Sequence, residues 1–372
     1  MLDTSLVDGW LPILVLGIAF ACAVVQVVRR PSRPFLIALG VALGTALIVQ
    51  TVLVLVVDHL VVPFGIPLEF RNWCWVLAGL VGWALAGVGF VRTGWWRKTV
   101  ALVAVPVSAL AVSLGVNLTY GQYPTLRDAL GLTSYPELPD ALQRGSDLPL
   151  DEWDPPSGLA AQGSVYSVAI PGKLSGFPAR DAAVYLPPAA LADDPPRLPV
   201  LMAMAGQPGA PTDVFTSGQL AAIADSWAEQ HDGVAPVIVV PDQLGTEHDN
   251  PMCVDGAFGD SRTYLERDVR DWVLGNLPVS EDRASWVVAG FSQGGTCALQ
   301  LATGSPELFG AFVDIAGDEG PTLGTPDRTL REGFGGDAAA YAAARPTEYL
   351  AGETLHDTAA LLVVGDLDPV MG

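Results

Sequence analysis

Apolar residues follow two different patterns along this 372-residue chain. The first third carries four long apolar runs, at residues 11–28, 35–57, 73–91 and 99–118. Each is close to the roughly 20 residues that cross a bilayer core. A cleaved secretory leader would account only for the first run, and no basic segment precedes it. The pattern therefore predicts four membrane helices in a lipid bilayer, then a separate domain.

Basic residues orient those spans. Arg29, Arg30 and Arg33 lie between the first two runs, and Arg92, Arg97 and Lys98 between the last two. Both loops should face the cytoplasm. The N-terminus carries Asp3 and Asp8, and the middle loop Asp58, Glu69 and only Arg71, so both should lie outside. Four spans then deliver the rest of the chain to the outer side. Trp10, Trp73, Trp75, Trp95 and Trp96 fall near the expected span ends, as an aromatic belt does. Gln26, Gln50 and His59 are read as helix–helix hydrogen-bonding positions.

Residues 119–160 read as a connector, polar, acidic and broken by prolines from Pro124 to Pro156, with a short helix at 126–132. Beyond Ser164 the apolar runs become short. Residues 164–170 and 182–185 predict a hairpin. Further strands are expected at 199–205, 237–240, 286–289, 311–315 and 359–364. Helical spacing falls between them, at 219–230, 264–273, 296–302 and 338–344. Alternating strands and helices predict a mostly parallel sheet with helices on both faces. Wholly apolar strands suit burial on both sides. The expected organisation is a membrane domain at 1–118, an extracytoplasmic linker at 119–160 and an α/β domain at 161–372.

Charge sharpens this division. Through Val116 the chain holds seven Lys/Arg and four Asp/Glu, whereas the remainder holds twelve and thirty-six. Such an acidic outer part argues against nucleic acid as a partner, since phosphate is repelled. Cys22 and Cys74 lie in apolar runs and read as packing residues. No Cys/His spacing suggests a metal site, and no cofactor is expected. Cys253 and Cys297 fall in the acidic part. In an oxidising compartment they are expected to form a disulfide, with two buried thiols as the alternative.

The chemistry centres on Gly290-Phe291-Ser292-Gln293-Gly294. This G-x-S-x-G follows a strand and opens a helix, the setting of the nucleophile elbow of an α/β-hydrolase. Ser292 is the expected nucleophile. The N–H of Gln293 is placed to meet an oxyanion, and a second donor is expected from the loop Gly206-Gln207-Pro208-Gly209. Pro208 has no N–H, so Gln207 is preferred. The acid should follow the 359–364 strand, where Gly365 to Asp368 gives G-x-x-D; Asp368 is the expected acid and Asp366 the reserve. No histidine follows Asp368. The base is therefore expected beyond Gly372, on a hydrolase domain that would be incomplete in this chain and inactive by itself. His248 is the one internal substitute at the correct sheet edge, also readable as a solvated loop residue or substrate contact.

The acidic part resembles the esterase family that includes esterase D and the mycobacterial antigen 85 mycolyltransferases. It is most similar to membrane-anchored actinobacterial members. The resemblance covers about residues 164–372. It rests on Ala205-Gly206-Gln207-Pro208-Gly209, Pro241-Asp242, Asn250 to Asp255, Tyr264-Leu265 with Asp268-Val269, Gly290 to Gly295, and Gly365-x-x-Asp368. It implies Ser292 as nucleophile, Asp368 as acid and backbone donors at Gln207 and Gln293. Two departures stand out: many relatives have His or Asp at the position of Ala205, and the terminal His is missing. The expected function is a membrane-anchored extracytoplasmic serine esterase or acyltransferase. Its expected substrates are ester-linked acyl lipids or acylated sugars, those of the cell envelope among them. A non-catalytic module binding an envelope ligand, and a function residing in the four helices, are the alternatives.

Overall fold

The computed structural model of this protein describes residues 2–61, 68–352 and 355–365. Two compact units divide the chain between Thr133 and Ser134.

The first unit contains four long helices: α1 (Trp10–Val27), α2 (Arg33–Val56), α3 (Phe70–Gly89) and α4 (Trp95–Tyr120). A π-helical turn, Val57–Val61, extends α2. All four are long and apolar enough to cross a membrane. Ile13, Phe20, Ile37, Ile48 and Leu102 lie exposed on the outside of the unit. An apolar exterior of this kind is unfavourable in water and matched by lipid tails. Small residues bring α3 and α4 together: a Cβ at Gly79 would run into Val112, and one at Gly115 into the Trp75 ring.

Polar side chains close the two ends of this unit. At one end Arg29 Nη1 donates to Val91 O at 3.1 Å, and Arg97 Nη2 to Val28 O at 2.9 Å. The basic residues of the two predicted inner loops thus meet, and they satisfy carbonyls that the ends of α1 and α3 leave open. Gln26 Nε2 donates to Arg97 O at 3.3 Å at this end, whereas Gln50 Nε2 donates to Trp73 O at 3.1 Å toward the other. At the opposite end, Trp73 Nε1 donates to Asp58 Oδ2 at 2.9 Å. There Ser5 bridges to Thr125, and Thr125 and Asp128 form the capping box of the short helix α5 (Leu126–Ala129).

Among the described residues, the second unit is built on a seven-stranded sheet. Its strands are β1 (Ser164–Val168), β2 (Ala182–Leu186), β3 (Val200–Met204), β4 (Val237–Val240), β7 (Trp286–Phe291), β8 (Ala311–Ile315) and β9 (Ala359–Val363). A two-residue pair, β5 (Asp255–Gly256) and β6 (Gly259–Asp260), forms a separate ribbon. The order in the sheet is β1-β2-β4-β3-β7-β8-β9. The β1–β2 hairpin and the β2–β4 pairing are antiparallel, and β4, β3, β7, β8 and β9 run parallel.

Helices cover both faces. Ala183, Tyr185, Ala203, Ile238 and Val240 point to one side, packing with Phe215 and α6 (Leu220–Glu229). Their neighbours Val184, Leu186, Met202, Met204, Val239 and Val288 point to the other, against Tyr264, Val273, Cys297 and Leu301. Period-two alternation with both faces buried is why these strands read as continuous apolar runs. The second face is formed by α7 (Ser261–Thr263), a π-helical stretch Tyr264–Val269, α8 (Arg270–Asn276) and α9 (Gln293–Gly304). Short helices α10 (Pro326–Arg328), α11 (Ala338–Ala343) and α12 (Pro346–Gly352) lie between β8 and β9 in the chain. Part of the predicted connector joins this unit: Leu138 enters its core, and its N–H donates to Ser167 O at 3.2 Å.

Candidate active site

Strand β7 ends and α9 begins with a single residue between them, Ser292. Its backbone lies at φ 54°, ψ −120°, a left-handed conformation that side chains rarely adopt. Crowding forces the turn to be this sharp. A Cβ at Gly290 would strike the carbonyl of Gly294, and one at Gly294 would strike the carbonyls of Met204 and Ala205. Ser292 N donates to Ile315 O at 2.8 Å, and Ser292 O accepts from Thr296 N at 3.0 Å. These bonds leave the half-buried side chain at the C-terminal edge of the sheet. Gln293 opens α9, so its N–H belongs to the first turn, which has no intrahelical acceptor.

The loop after β3 lies directly beside the serine. A Cβ built on Gly206 would stand 3.4 Å from Ser292 Cβ. Gln207 follows, joined to Pro208 by a cis peptide, and its side-chain Nε2 donates to His248 O at 2.7 Å. Two further contacts hold the loop: Gly209 N donates to Glu247 O at 3.2 Å, and Ala210 N to Asp213 Oδ2 at 2.9 Å. Burial pushes the Asp213 carboxyl up from its ordinary value, and nearby Glu247 adds to this, against the Ala210 N–H and Arg180.

Behind the loop sits Asp242, fully buried. Arg180 binds it through Nε at 3.0 Å and Nη2 at 2.7 Å, and the backbone N–H of Arg180 adds a third bond at 2.7 Å. Leu244 N and Gly245 N also donate to it, each at 3.1 Å. Arg180 Nη2 reaches Gly209 O at 3.0 Å as well, tying this cluster to the loop.

The elbow helix is fixed from its other side. Cys253 and Cys297 are joined as a disulfide with Cα atoms 5.4 Å apart. Gln293 Nε2 lies 3.3 Å from Cys297 Sγ and 3.3 Å from Asn250 Oδ1. Asp314, on β8 beside the elbow, accepts from Gly317 N at 2.9 Å; burial pushes its carboxyl up, and Asp318 pushes in the same direction.

Ser292, Gln293 and the Gly206–Gln207 loop therefore converge. Asp366 and Asp368 lie outside the described residues, so no geometry is assigned to the acid. Among the described residues, no histidine ring hydrogen-bonds Ser292. His248 meets the loop through its backbone carbonyl. His231 stacks on Trp227 with centroids 3.8 Å apart, its Nδ1 2.7 Å from Trp227 O. His356 is exposed ahead of β9, and His59 belongs to the first unit. Sequence reasoning missed the supporting side chains Arg180, Asp213 and Asp314. Asp242 was visible as part of Pro241-Asp242, but its partner stands 62 residues away.

A mostly parallel sheet with a serine on a strained strand-to-helix turn, beside the loop after β3, is the arrangement of an α/β-hydrolase. A family model described as "Putative esterase" matches residues 179–321. An uncharacterized protein of Corynebacterium glutamicum is 34% identical over 355 residues, covering 93% of this chain and 80% of the relative. The chain belongs to the esterase family of the α/β-hydrolase superfamily. Similar solved structures include an S-formylglutathione hydrolase from Agrobacterium tumefaciens, at 19% identity and TM-score 0.46, covering 57% of this chain and 79% of that one. Another is FphF, a fluorophosphonate-binding serine hydrolase of Staphylococcus aureus, at 19% identity and TM-score 0.45, covering 56% and 82%.

Proposed function

We propose that this protein is a membrane-anchored serine hydrolase in which Ser292 attacks the carbonyl of a carboxylic ester. The observation that carries this reading is the backbone of Ser292 at φ 54°, ψ −120° between β7 and α9. A position that favours glycine holds a hydroxyl instead, where two groups of N–H donors meet. In the proposed step Ser292 Oγ bonds to the acyl carbon. The developing oxyanion is held by the N–H groups of Gln293 and Gln207. A histidine base, oriented by Asp368, takes the serine proton and returns it to the leaving alcohol. Water or a sugar hydroxyl then accepts the acyl group, giving hydrolysis or transfer. With residues 1–118 as the anchor and the basic loops inside, this chemistry takes place on the outer side of the membrane. Acyl lipids and acylated sugars of the envelope are the substrates within reach.

The test is ester hydrolysis and acyl transfer by the detergent-solubilised full-length protein. Ser292→Ala should lose at least about a thousandfold in kcat while melting like the wild type. Asp368→Asn should be severe and Asp366→Asn mild; the reverse would move the acid to Asp366. An Ser292→Ala variant as active as the wild type would remove the enzyme assignment. One observation favours a second reading, a hydrolase-like module that binds an envelope ligand without turnover: no described histidine ring bonds Ser292. That reading requires ligand binding by a wild-type protein that shows no ester cleavage.

A further inference from the structure

Gln243 is almost completely buried, 1% exposed, and lies directly after the Asp242 cluster. Its side-chain Nε2 donates to Ala205 O at 2.6 Å and to Gln293 Oε1 at 3.0 Å. Ala205 leads into the Gly206–Gln207 loop, and Gln293 opens the elbow helix. The two hydrogens of one amide nitrogen therefore reach both halves of the donor pair assigned above.

The orientation of each amide in this chain follows from its fixed neighbours. A backbone carbonyl can only accept, so Ala205 O places the Gln243 nitrogen. That nitrogen in turn presents the Gln293 oxygen, leaving Gln293 Nε2 to face Asn250 Oδ1 and the Cys297 sulfur. Asn250 Oδ1 also accepts from Met252 N at 2.9 Å, and Asn250 Nδ2 donates to Thr322 O at 3.1 Å. Every donor has an acceptor along a line from the β3 loop to the disulfide. A buried network satisfied in this way is rigid, and breaking it leaves a polar group without water.

We propose that Gln243 is a positioning residue, fixing the spacing of the Gln207 and Gln293 N–H donors through hydrogen bonds to Ala205 O and Gln293 Oε1. The inference rests on the proposed oxyanion role of those two donors. It assigns Gln243 no contact with substrate. Oxyanion donors act only when set where charge develops, and a displacement of about 1 Å can lower a rate about a hundredfold. Loss of the bridge should thus weaken transition-state stabilisation while substrate binding remains.

The test compares wild type, Ser292→Ala, Gln243→Met and Gln243→Glu in the solubilised full-length protein. In the proteins that keep Ser292, active sites are counted by a fluorophosphonate, which bonds to the serine oxygen with loss of fluoride, so that unfolded molecules do not enter the rates; Ser292→Ala is normalised to folded protein. Met keeps the bulk of the side chain without polar atoms; Glu keeps the shape but donates at most one hydrogen bond, when protonated, and so cannot bridge both oxygens. The expected result is a kcat lower by about 10- to 100-fold in both Gln243 variants, with KM little changed. Affinity for a trifluoromethyl ketone, which adds to the serine and forms an oxyanion, should fall by the same factor. A Gln293→Ala variant, which keeps the backbone N–H but removes Oε1, should show part of this loss and no additional loss on top of Gln243→Met. A merely structural role would lower melting temperature without this kcat-against-KM split. If Ser292→Ala is inactive but both Gln243 variants match wild type, the Gln243 assignment alone is wrong. If wild type lacks Ser292-dependent turnover, both the site reading and the Gln243 assignment fall.

Discussion

Arg180 holds Asp242 through two guanidinium nitrogens, at 3.0 and 2.7 Å, and uses one of them to reach the carbonyl of Gly209 at 3.0 Å. One side chain thereby couples a buried carboxylate to the loop beside Ser292. The carboxylate side chain is fully buried and the arginine 30% exposed. Removing Arg180 strands a charge in the interior, which costs more than the intact pair contributes. Arg180→Met should destabilise the protein by about 3 kcal/mol, the low end of the range for a broken buried pair. Arg180→Lys should fall between, since lysine keeps the charge without the two-pronged geometry. Chemical denaturation checks this; an Arg180→Met protein with the wild-type midpoint would contradict it.

The Cys253–Cys297 bridge closes a loop across 44 residues of sequence separation. A crosslink of that span restricts the unfolded chain and typically stabilises by about 2–4 kcal/mol. Cys253→Ser with Cys297→Ser should lower stability by that amount. Reductant should lower the melting temperature of the wild type and leave the double variant unchanged. Equal sensitivity of the two proteins to reductant would argue that the thiols are unpaired in solution.

Asp314 gives the protein a pH dependence of defined sign. Burial raises its carboxyl, so the folded state retains the proton to higher pH than the unfolded chain does. Between those two values the folded state binds more protons, and stability falls as pH rises. The contribution is fully present below the ordinary aspartate value, about 4, and lost above the raised one. Asp314→Asn keeps an oxygen for Gly317 N–H. It should melt higher than wild type near pH 8 and lose less stability between pH ~4 and ~8. Asp213, raised for the same reason, retains its own share of the slope. Parallel melting curves for the two proteins across this range would rule the assignment out.

The membrane orientation can be read by labelling. In a background lacking Cys22 and Cys74, a cysteine introduced beside Arg33 should resist an impermeant maleimide in intact cells. One introduced at Thr133 should react. The opposite pattern would place the acidic unit inside.

Much of the fold was legible because local pattern and burial agree. Ala311–Ile315 and Val237–Val240 match their predicted limits, since strands buried on both faces are continuous apolar runs. The segment around Tyr264 was less legible. Instead of one helix over 264–273, it begins at Ser261, widens into a π-helical stretch and ends at Asn276. Tyr264, Leu265, Asp268 and Val269 all lie in the interior of this stretch. Asp268, noticed as part of a motif, holds the Leu174–Ser175 turn through bonds of 2.8 and 3.0 Å to its backbone. Gln243 gave no signal at all: a lone glutamine after Pro241-Asp242 acquires meaning only when residues 38 and 50 positions away are brought against it.

Position 292 serves two masters. The backbone there, at φ 54°, suits a residue without a side chain, and holding any other residue in such a conformation costs on the order of 1–3 kcal/mol. The hydroxyl demands that a side chain be present. Selection for a sturdier molecule and selection for a reactive one therefore pull this codon in opposite directions. A lineage that abandoned catalysis would gain stability by drifting to glycine, so the persistence or loss of serine there is a record of which pressure has prevailed.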